Sequence, residues 1–380
     1  MNKVSILALS ISSILLASNV SAANQVADAT GNAMGNTGVA SAGYLTAPFY
    51  NPALGADFKA NDDFAILIPA ISVSARDTSD SLTTIDDLQT SIEKYENSGS
   101  TSTAELNKID GYLNQLDGNQ PFAVTAGIGL AIALPAKAVS SNLFARGYAE
   151  IIATTDIATD LDIVDRYTNS TVYMLAFDYV EVGLSLAKEF IISEEQFSFG
   201  ITPKYQKMAT YAQRVTVSDF DISNYNESEI TKNAFNLDLG AMWYKDNFRA
   251  GLAVKDLLSQ SIEARGNGLK DTYKLDTQVT LGLAYASEYF TAAIDGDLTK
   301  QTRFQNQNDN TQFVRFGIEG NAWDWAQLRA GYEIDLQDTL DNSITAGIGI
   351  SPFDVVSLDI AGSYAGNNQF GASANLAFTL

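Results

Sequence analysis

From residue 63 to the end of the chain, apolar side chains alternate with polar or small ones at a period of two. In 235–243 the apolar positions Phe235, Leu237, Leu239, Ala241 and Trp243 enclose Asn236, Asp238 and Gly240. Leu281, Leu283 and Tyr285 alternate with Thr280, Gly282 and Ala284, and Leu328, Ala330 and Tyr332 with Arg329, Gly331 and Glu333. Ile344, Ala346, Ile348 and Ile350 alternate with Thr345, Gly347 and Gly349. Successive side chains of a strand point to opposite faces, so each stretch predicts a strand with one apolar face. Fourteen such strands are expected, near 63–77, 121–135, 141–157, 171–190, 197–217, 233–245, 248–262, 277–289, 290–304, 311–323, 326–336, 340–351, 355–366 and 368–380.

The connections add independent information. After every second strand the turn is short, at 136–140, 191–196, 246–247, 288–289, 324–325 and 352–354, whereas the others run longer, up to 78–120. A soluble sandwich has no reason to alternate short with long. An outer-membrane barrel does, with tight periplasmic turns, longer external loops and an even strand count. Trp243, Trp323 and Trp325 fall at short turns, joined by Phe190, Phe197, Tyr244, Phe248, Tyr289, Phe290 and Phe353. Rings at the level of the lipid head groups form the girdle of such barrels. The last strand carries Phe370, Leu376, Phe378 and Leu380 on one face, similar to the terminal strand by which these barrels are recognised for insertion. The expected fold is therefore all-β: a transmembrane antiparallel β-barrel of about fourteen strands.

Three stretches depart from the alternation. Residues 1–23 read as a secretory signal peptide: Lys3, an apolar run from Val4 to Leu16 too short to span a bilayer, then small residues to Ala23. Residues 24–61 form the expected N-terminal plug, or hatch. Its core, 31–56, carries Gly31, Gly35, Gly38 and Gly43 and then the turn Asn51-Pro52-Ala53, too apolar for a solvated tail and without helical or strand period. Residues 62–380 are the barrel, and its loop 78–120 is helical by period, with Ile85, Leu88 and Ile92 on one face and Leu106, Ile109, Leu113 and Leu116 on another. Thr84 with Asp87, and Ser102 with Glu105, are the expected caps of an external helical hairpin, either a lid, a partner surface or a plain solvated decoration.

If the apolar partners face lipid, the lumen receives Lys204, Asp238, Arg249, Lys255, Asp295, Asp297, Arg315, Glu319, Arg329, Glu333 and Asp335. Both signs on neighbouring strands suggest ion pairs that hold a plug; the alternative is a charge-lined selective channel. Gly282, Gly317, Gly331, Gly347 and Gly349 would leave room for a plug or ligand. In the fourth strand the apolar phase changes from Tyr173, Leu175, Phe177 and Tyr179 to Val180, Val182 and Leu184. Either a bulge kinks the wall at Tyr179, Val180 and Glu181, or the lumen is locally apolar.

Composition narrows the chemistry. The chain has neither cysteine nor histidine, which removes disulfides, thiolate or imidazole metal sites and Ser-His-Asp catalysis; no enzyme activity and no cofactor are expected. A net charge of −22 argues against a nucleic-acid partner. Gly31-x-x-x-Gly35 and Gly127-x-Gly129 lack the strand–helix context of a phosphate loop, and Asp156, Asp160, Asp162 and Asp165 lack calcium-loop spacing.

Together, the export signal, MGNTGVAS at 34–41 and APFYNPA at 47–53, opening into a barrel, resemble the FadL-type fatty-acid transporter superfamily, and within it most closely the group labelled conjugal transfer protein TraF. The resemblance covers the mature chain. It implies a fourteen-stranded barrel in the outer membrane of a Gram-negative bacterium, with the N-terminal segment as a hatch in the lumen; Asn51, Pro52 and Ala53 match the hatch motif. In such transporters hydrophobic molecules bind externally, move the hatch and leave sideways through a kinked wall. The implied partners are outer-membrane lipid, a hydrophobic small-molecule ligand and, during insertion, the barrel-assembly machinery. The rival expectation is an assembly or docking component of a conjugation or secretion apparatus, meeting envelope proteins through loop 78–120.

Overall fold

A wall of antiparallel strands that closes on itself dominates the computed structural model, which describes residues 27–60, 62–159, 162–222, 228–307, 309–322, 325–352, 355–366 and 368–380. The signal peptide, the first residues of the plug, Trp323 and Phe353 lie outside the described residues. The strands are β1 (Ala65–Arg76), β2 (Phe122–Leu134), β3 (Ser140–Asp156), β4 (Thr171–Ile192), β5 (Glu195–Thr216), β6 (Ile230–Lys245), β7 (Phe248–Lys255), β8 (Gln260–Gly266), β9 (Leu269–Leu275), β10 (Gln278–Ala286), β11 (Phe290–Asp297), β12 (Phe313–Ala322), β13 (Ala326–Asp335), β14 (Ser343–Ile350), β15 (Val356–Tyr364) and β16 (Gln369–Thr379). Fourteen of them form the wall, and β16 returns to pair with β1.

The period-two pattern has a direct physical reading. Leu283, Ile318, Leu328 and Ile360 point outward and are exposed, while Asp238, Asp295 and Glu333 on the other phase are buried inside. The first set forms an outward apolar band of the kind that lipid solvates; the second is solvated only by other lumen residues. Of the girdle aromatics, Phe190, Phe248, Tyr289, Phe290 and Trp325 are exposed. Tyr244 is a correction: it sits on the lumenal phase of β6, where its hydroxyl lies 3.4 Å from that of Ser198.

The expected strand 248–262 is two elements. β7 ends at Lys255, Asp256 takes a positive φ of 50°, and 260–262 open β8. β8 and β9 pair with each other, outside the wall, and β7 pairs directly with β10. Alternation alone does not separate a wall strand from a hairpin, because both present one apolar face.

The expected kink at Tyr179, Val180 and Glu181 is also corrected. β4 keeps an unbroken register with β3 from Thr171 to Ala187, and the same register with β5 on both sides of Gly183. Leu175, Phe177 and Tyr179 are lumenal throughout, so the upper lumen is locally apolar. On the outer phase Val180, Val182 and Leu184 are exposed, whereas Val172 and Met174 are covered by the helical loop. The wall irregularity lies elsewhere. In β1 the register against both β2 and β16 shifts between Leu67 and Ala70, at Ile68-Pro69. Pro69 has no N–H to give the ladder, which suits a bulge.

Helices α1 (Ala29–Ala33) and α2 (Ala47–Tyr50), followed by a 3-10 turn over Pro52–Ala56, belong to the N-terminal segment. The external loops add α3 (Ser81–Asn97), α4 (Thr103–Leu116) and α5 (Ile163–Asn169). Ser102 caps α4 by accepting from the Glu105 N–H at 3.4 Å. Thr84 is not the cap of α3, which starts three residues earlier; Asp77 accepts the N–H groups of Ser81 and Leu82 at 2.7 and 2.9 Å. The apolar stripes of α3 and α4 meet Phe122, Ala153, Val172, Met174 and Val217 on the outer face of the wall extensions, so the hairpin clads the wall and does not roof the mouth.

Candidate functional site

The lumen is filled from the N-terminal end by residues 27–57. Ala29, Ala33, Ala47, Phe49, Ala53 and Leu54 are buried to 1% or less, the first two packed on Ala361 and the others in a cluster with wall residues such as Ala70, Ala131 and Phe144. The segment turns tightly because its residues allow it. Asp28 caps α1, accepting from the N–H groups of Thr30 and Gly31 at 3.3 and 3.2 Å. The Tyr50 hydroxyl donates to the same carboxylate at 3.1 Å, fastening the two ends of the segment to each other. Burial pushes the Asp28 carboxyl above its usual range, as does the neighbouring Asp359 charge, while those three hydrogen bonds pull it back. Gly35 sits at φ +66°, where a Cβ would lie 2.7 Å from the Phe316 carbonyl oxygen, so the turn admits only glycine. Gly31 and Gly38 make room for the Tyr50 ring, whose atoms would fall 1.8 and 2.1 Å from an added Cβ. Gly43 has open space around it, and it contributes no such approach.

The wall holds this segment mainly through its backbone. Asp295 Oδ2 accepts from the N–H groups of Gly38 and Val39 at 2.7 and 2.9 Å. Thr345 accepts from Gly35 at 2.9 Å and donates to the Ala33 carbonyl at 2.8 Å. Asn375 accepts from Ala29 at 2.7 Å, and Asn36 donates to Glu333 at 3.3 Å. In the 51–53 turn, Asn51 accepts from Ala53 at 3.1 Å and donates to the carbonyls of Val39 and Ala241 at 2.9 and 3.2 Å. Pro52 and Ala53 face wall glycines: a Cβ on Gly200 would stand 2.3 Å from the Pro52 carbonyl carbon. A lumenal glycine track continues this close approach. Added Cβ atoms at Gly240, Gly331 and Gly347 would fall 2.0 Å from Asn51, 2.1 Å from the Gly35 nitrogen and 2.5 Å from Ala33.

The expected ion pairs exist, but most join wall strands to one another. Arg315 bridges Asp297 and Glu333, both at 2.9 Å, and Arg329 bridges Glu319 and Asp359, both at 2.6 Å. Arg249–Asp57 at 2.7 Å is an ion pair that reaches the N-terminal segment. Lys255 also reaches it, donating to the Phe49 carbonyl at 2.5 Å. Above Phe49 lies a buried polar layer. Lys204 stands 2.9 Å from Asp238, 2.8 Å from Asp256 and 3.3 Å from Glu181, and Arg146 pairs with Glu181 at 2.5 Å.

Higher still, the lumen is apolar. Tyr148, Leu175, Phe177, Tyr179 and Met208 from β3–β5 enclose Ile262, Tyr273 and Leu275 of the β8–β9 hairpin, together with Phe304. Residues 303–305 add to β9, with the Lys274 N–H on the Arg303 carbonyl at 2.9 Å and the Gln305 N–H on the Thr272 carbonyl at 3.0 Å. A cap made of two external loops thus closes the outer end of the lumen, as the N-terminal segment closes the inner part.

The family model described as "F plasmid transfer operon, TraF, protein" matches residues 48–297, from α2 to the end of β11. The chain belongs to that family. No curated protein matches the sequence. Two solved structures share the fold: the CymD monoaromatic hydrocarbon channel, at 11% identity over 93% of this chain and 97% of that one with a TM-score of 0.56, and a deltaS2S3 mutant of the TodX monoaromatic hydrocarbon channel, at 12% identity over 92% and 97% with a TM-score of 0.55. The TraF group read from the residues is thereby met, and the fold is the one those channels have.

In this TraF family member, Asp238, Asp295 and Glu333, read as lumenal, lie buried on the inward phase of their strands, and the cap is the feature that sequence reasoning missed. The signal was present in Tyr273 and Phe304, large rings among mainly polar neighbours and alongside Ile262 and Leu275. It also missed Asp28, Thr345 and Asn375, single polar residues that become anchors only when the segment lies beside them.

Proposed function

We propose that the protein is a passive outer-membrane channel for hydrophobic small molecules, gated by residues 24–61 as a hatch. Ligand enters from the external loops, the hatch rearranges, and the molecule leaves the lumen. The observation that carries this reading is the way the lumen is closed. The blocking segment is a peptide in cis, fastened by hydrogen bonds and the Arg249–Asp57 ion pair and not by strand pairing, and backed by a glycine track, so it can shift without breaking the wall. The hydrocarbon channels that share the fold support the transport class, and the outward apolar band with its aromatic rims supports a site in the outer membrane of a Gram-negative cell. Docking through loop 78–120 has less support, because both apolar stripes of that loop are already spent on the wall.

Deletion of 35–52 is the test. With the barrel folded, as judged by heat-modifiable gel migration, leakage of small solutes from proteoliposomes and uptake of a hydrophobic probe should both rise. Background values for both would overturn the hatch.

A further inference from the structure

The barrel has no structural need for the β8–β9 hairpin: β7 and β10 pair without it, yet the hairpin is inserted deep into the outer lumen. Its Tyr273 is fully buried and lies flat on Phe177, with ring centroids 3.6 Å apart and planes at 10°. At that distance the rings have almost no offset, a face-to-face arrangement that aromatic pairs adopt less readily than offset or edge-on ones. Phe304 then meets Tyr273 edge-on at 5.0 Å. The wall supplies the rest of the enclosure at this level, with Tyr148 and Tyr179 at 5.7 Å from each other and Met208 beside them. Lower in the lumen the apolar wall residues Leu67, Phe144 and Met242 are already covered by the N-terminal segment, and the layer between is charged, so this belt is the outer level at which an apolar molecule would be solvated. One buried ion pair, Arg303 with Glu150 at 3.0 Å, closes the cap on β3.

We propose that this chamber is an outer ligand site, occupied in the closed barrel by the cap's own Tyr273 and Phe304, and that it takes a flat, ring-bearing hydrophobic molecule stacked on Phe177 in the place of Tyr273. The proposal deepens the channel reading and rests on it for the route of entry. Self-occupancy lowers apparent affinity by the fraction of time the cap is open, so removing the competing ring raises binding: about tenfold for a cap open one-tenth of the time. A flexible chain cannot stack and should gain little.

The test uses the full-length barrel in proteoliposomes, with benzophenone as a photoreactive probe and peptide mass spectrometry as readout. In Tyr273→Ala, labelling of Met208 should rise about tenfold over the natural protein. Excess naphthalene should suppress it, and dodecane at equal concentration should not. Arg303→Gln, which unlatches the cap and leaves the chamber walls intact, should raise the same label, and serves if Tyr273→Ala does not fold. Equal Met208 labelling in the natural protein and in a folded variant would overturn the proposal, because the belt would then only anchor the cap. Equal competition by dodecane would overturn the ring preference. The two readings fail separately: Met208 labelling without leakage on hatch deletion keeps the chamber and removes the channel, and leakage without labelling does the reverse.

Discussion

Asp295, on the lumenal face of β11, receives the backbone N–H of Gly38 at 2.7 Å and through the same oxygen that of Val39. A carboxylate that accepts two amides at a chain turn fixes both the height and the rotation of that turn, and each such bond is stronger than a neutral one. Asp295→Ala leaves two buried amides without an acceptor, a loss of about 2 kcal/mol in hatch docking. Small-solute leakage from proteoliposomes should rise while heat-modifiable migration of the barrel stays the same. Asp295→Asn, which keeps an accepting oxygen, should leak less than Asp295→Ala. Equal leakage in all three proteins would mean that this anchor does not hold the hatch.

The glycine track gives a steric version of the same test. A Cβ at Gly331 would stand 2.1 Å from the Gly35 nitrogen, a backbone atom that cannot swing aside, whereas at Gly320 nothing lies within 4 Å. Gly331→Ala should therefore displace the hatch at a cost of about 1–3 kcal/mol, and Gly320→Ala should be silent. The chain has no native cysteine, so a single Val39→Cys reports directly. Its maleimide labelling should accelerate in Gly331→Ala only.

The wall was legible because an apolar exterior on one side and a crowded lumen on the other impose the same alternation on every strand. Leu283 opposite Ala284 and Asp295 beside Ile294 carry that imprint. Where both faces are covered by protein the imprint fails. Val172 and Met174 are buried by the helical loop and Leu175 and Phe177 by the cap, so β4 reads as two phases although its register never changes. The N-terminal segment stood out as an anomaly of glycines, but not its short helices, since a five-residue α1 is set by the Asp28 cap and by the wall around it. The true bulge at Ile68-Pro69 announced itself only through a proline inside a strand.

Lys204 offers a test of the polar layer between hatch and cap. Its ammonium balances Asp238, Asp256 and Glu181 in a fully buried position. Removing one member of such a cluster leaves uncompensated buried charge, at about 3–5 kcal/mol. Lys204→Met should lower the midpoint of guanidinium unfolding in detergent accordingly. The double variant Lys204→Met with Asp238→Leu should recover part of the loss, because it withdraws one of the carboxylates left behind. A double variant no better than the single one would show that packing, not charge, sets the cost.

The helical loop makes the last prediction, and it separates the two functional readings. Leu88 and Leu113 are fully buried in a cluster that also holds Val172 and Met174 of the outer wall. Truncating either to alanine empties a packed site, at about 2–5 kcal/mol, and should release the hairpin to protease cleavage near the polar linker at Gly99. The lumen behind that wall holds its own contacts: the cap through Arg303 and Glu150, the N-terminal segment through Asp295 and Thr345. Leu88→Ala and Leu113→Ala should therefore leave hydrophobic-probe uptake within about twofold of the natural protein, a free-energy difference of less than about 0.5 kcal/mol. If uptake stays intact while crosslinks from the loop to an envelope protein disappear, the hairpin is a docking element on a working channel. If uptake falls together with hairpin order, the cladding controls the wall, and the loop belongs to the transport mechanism itself.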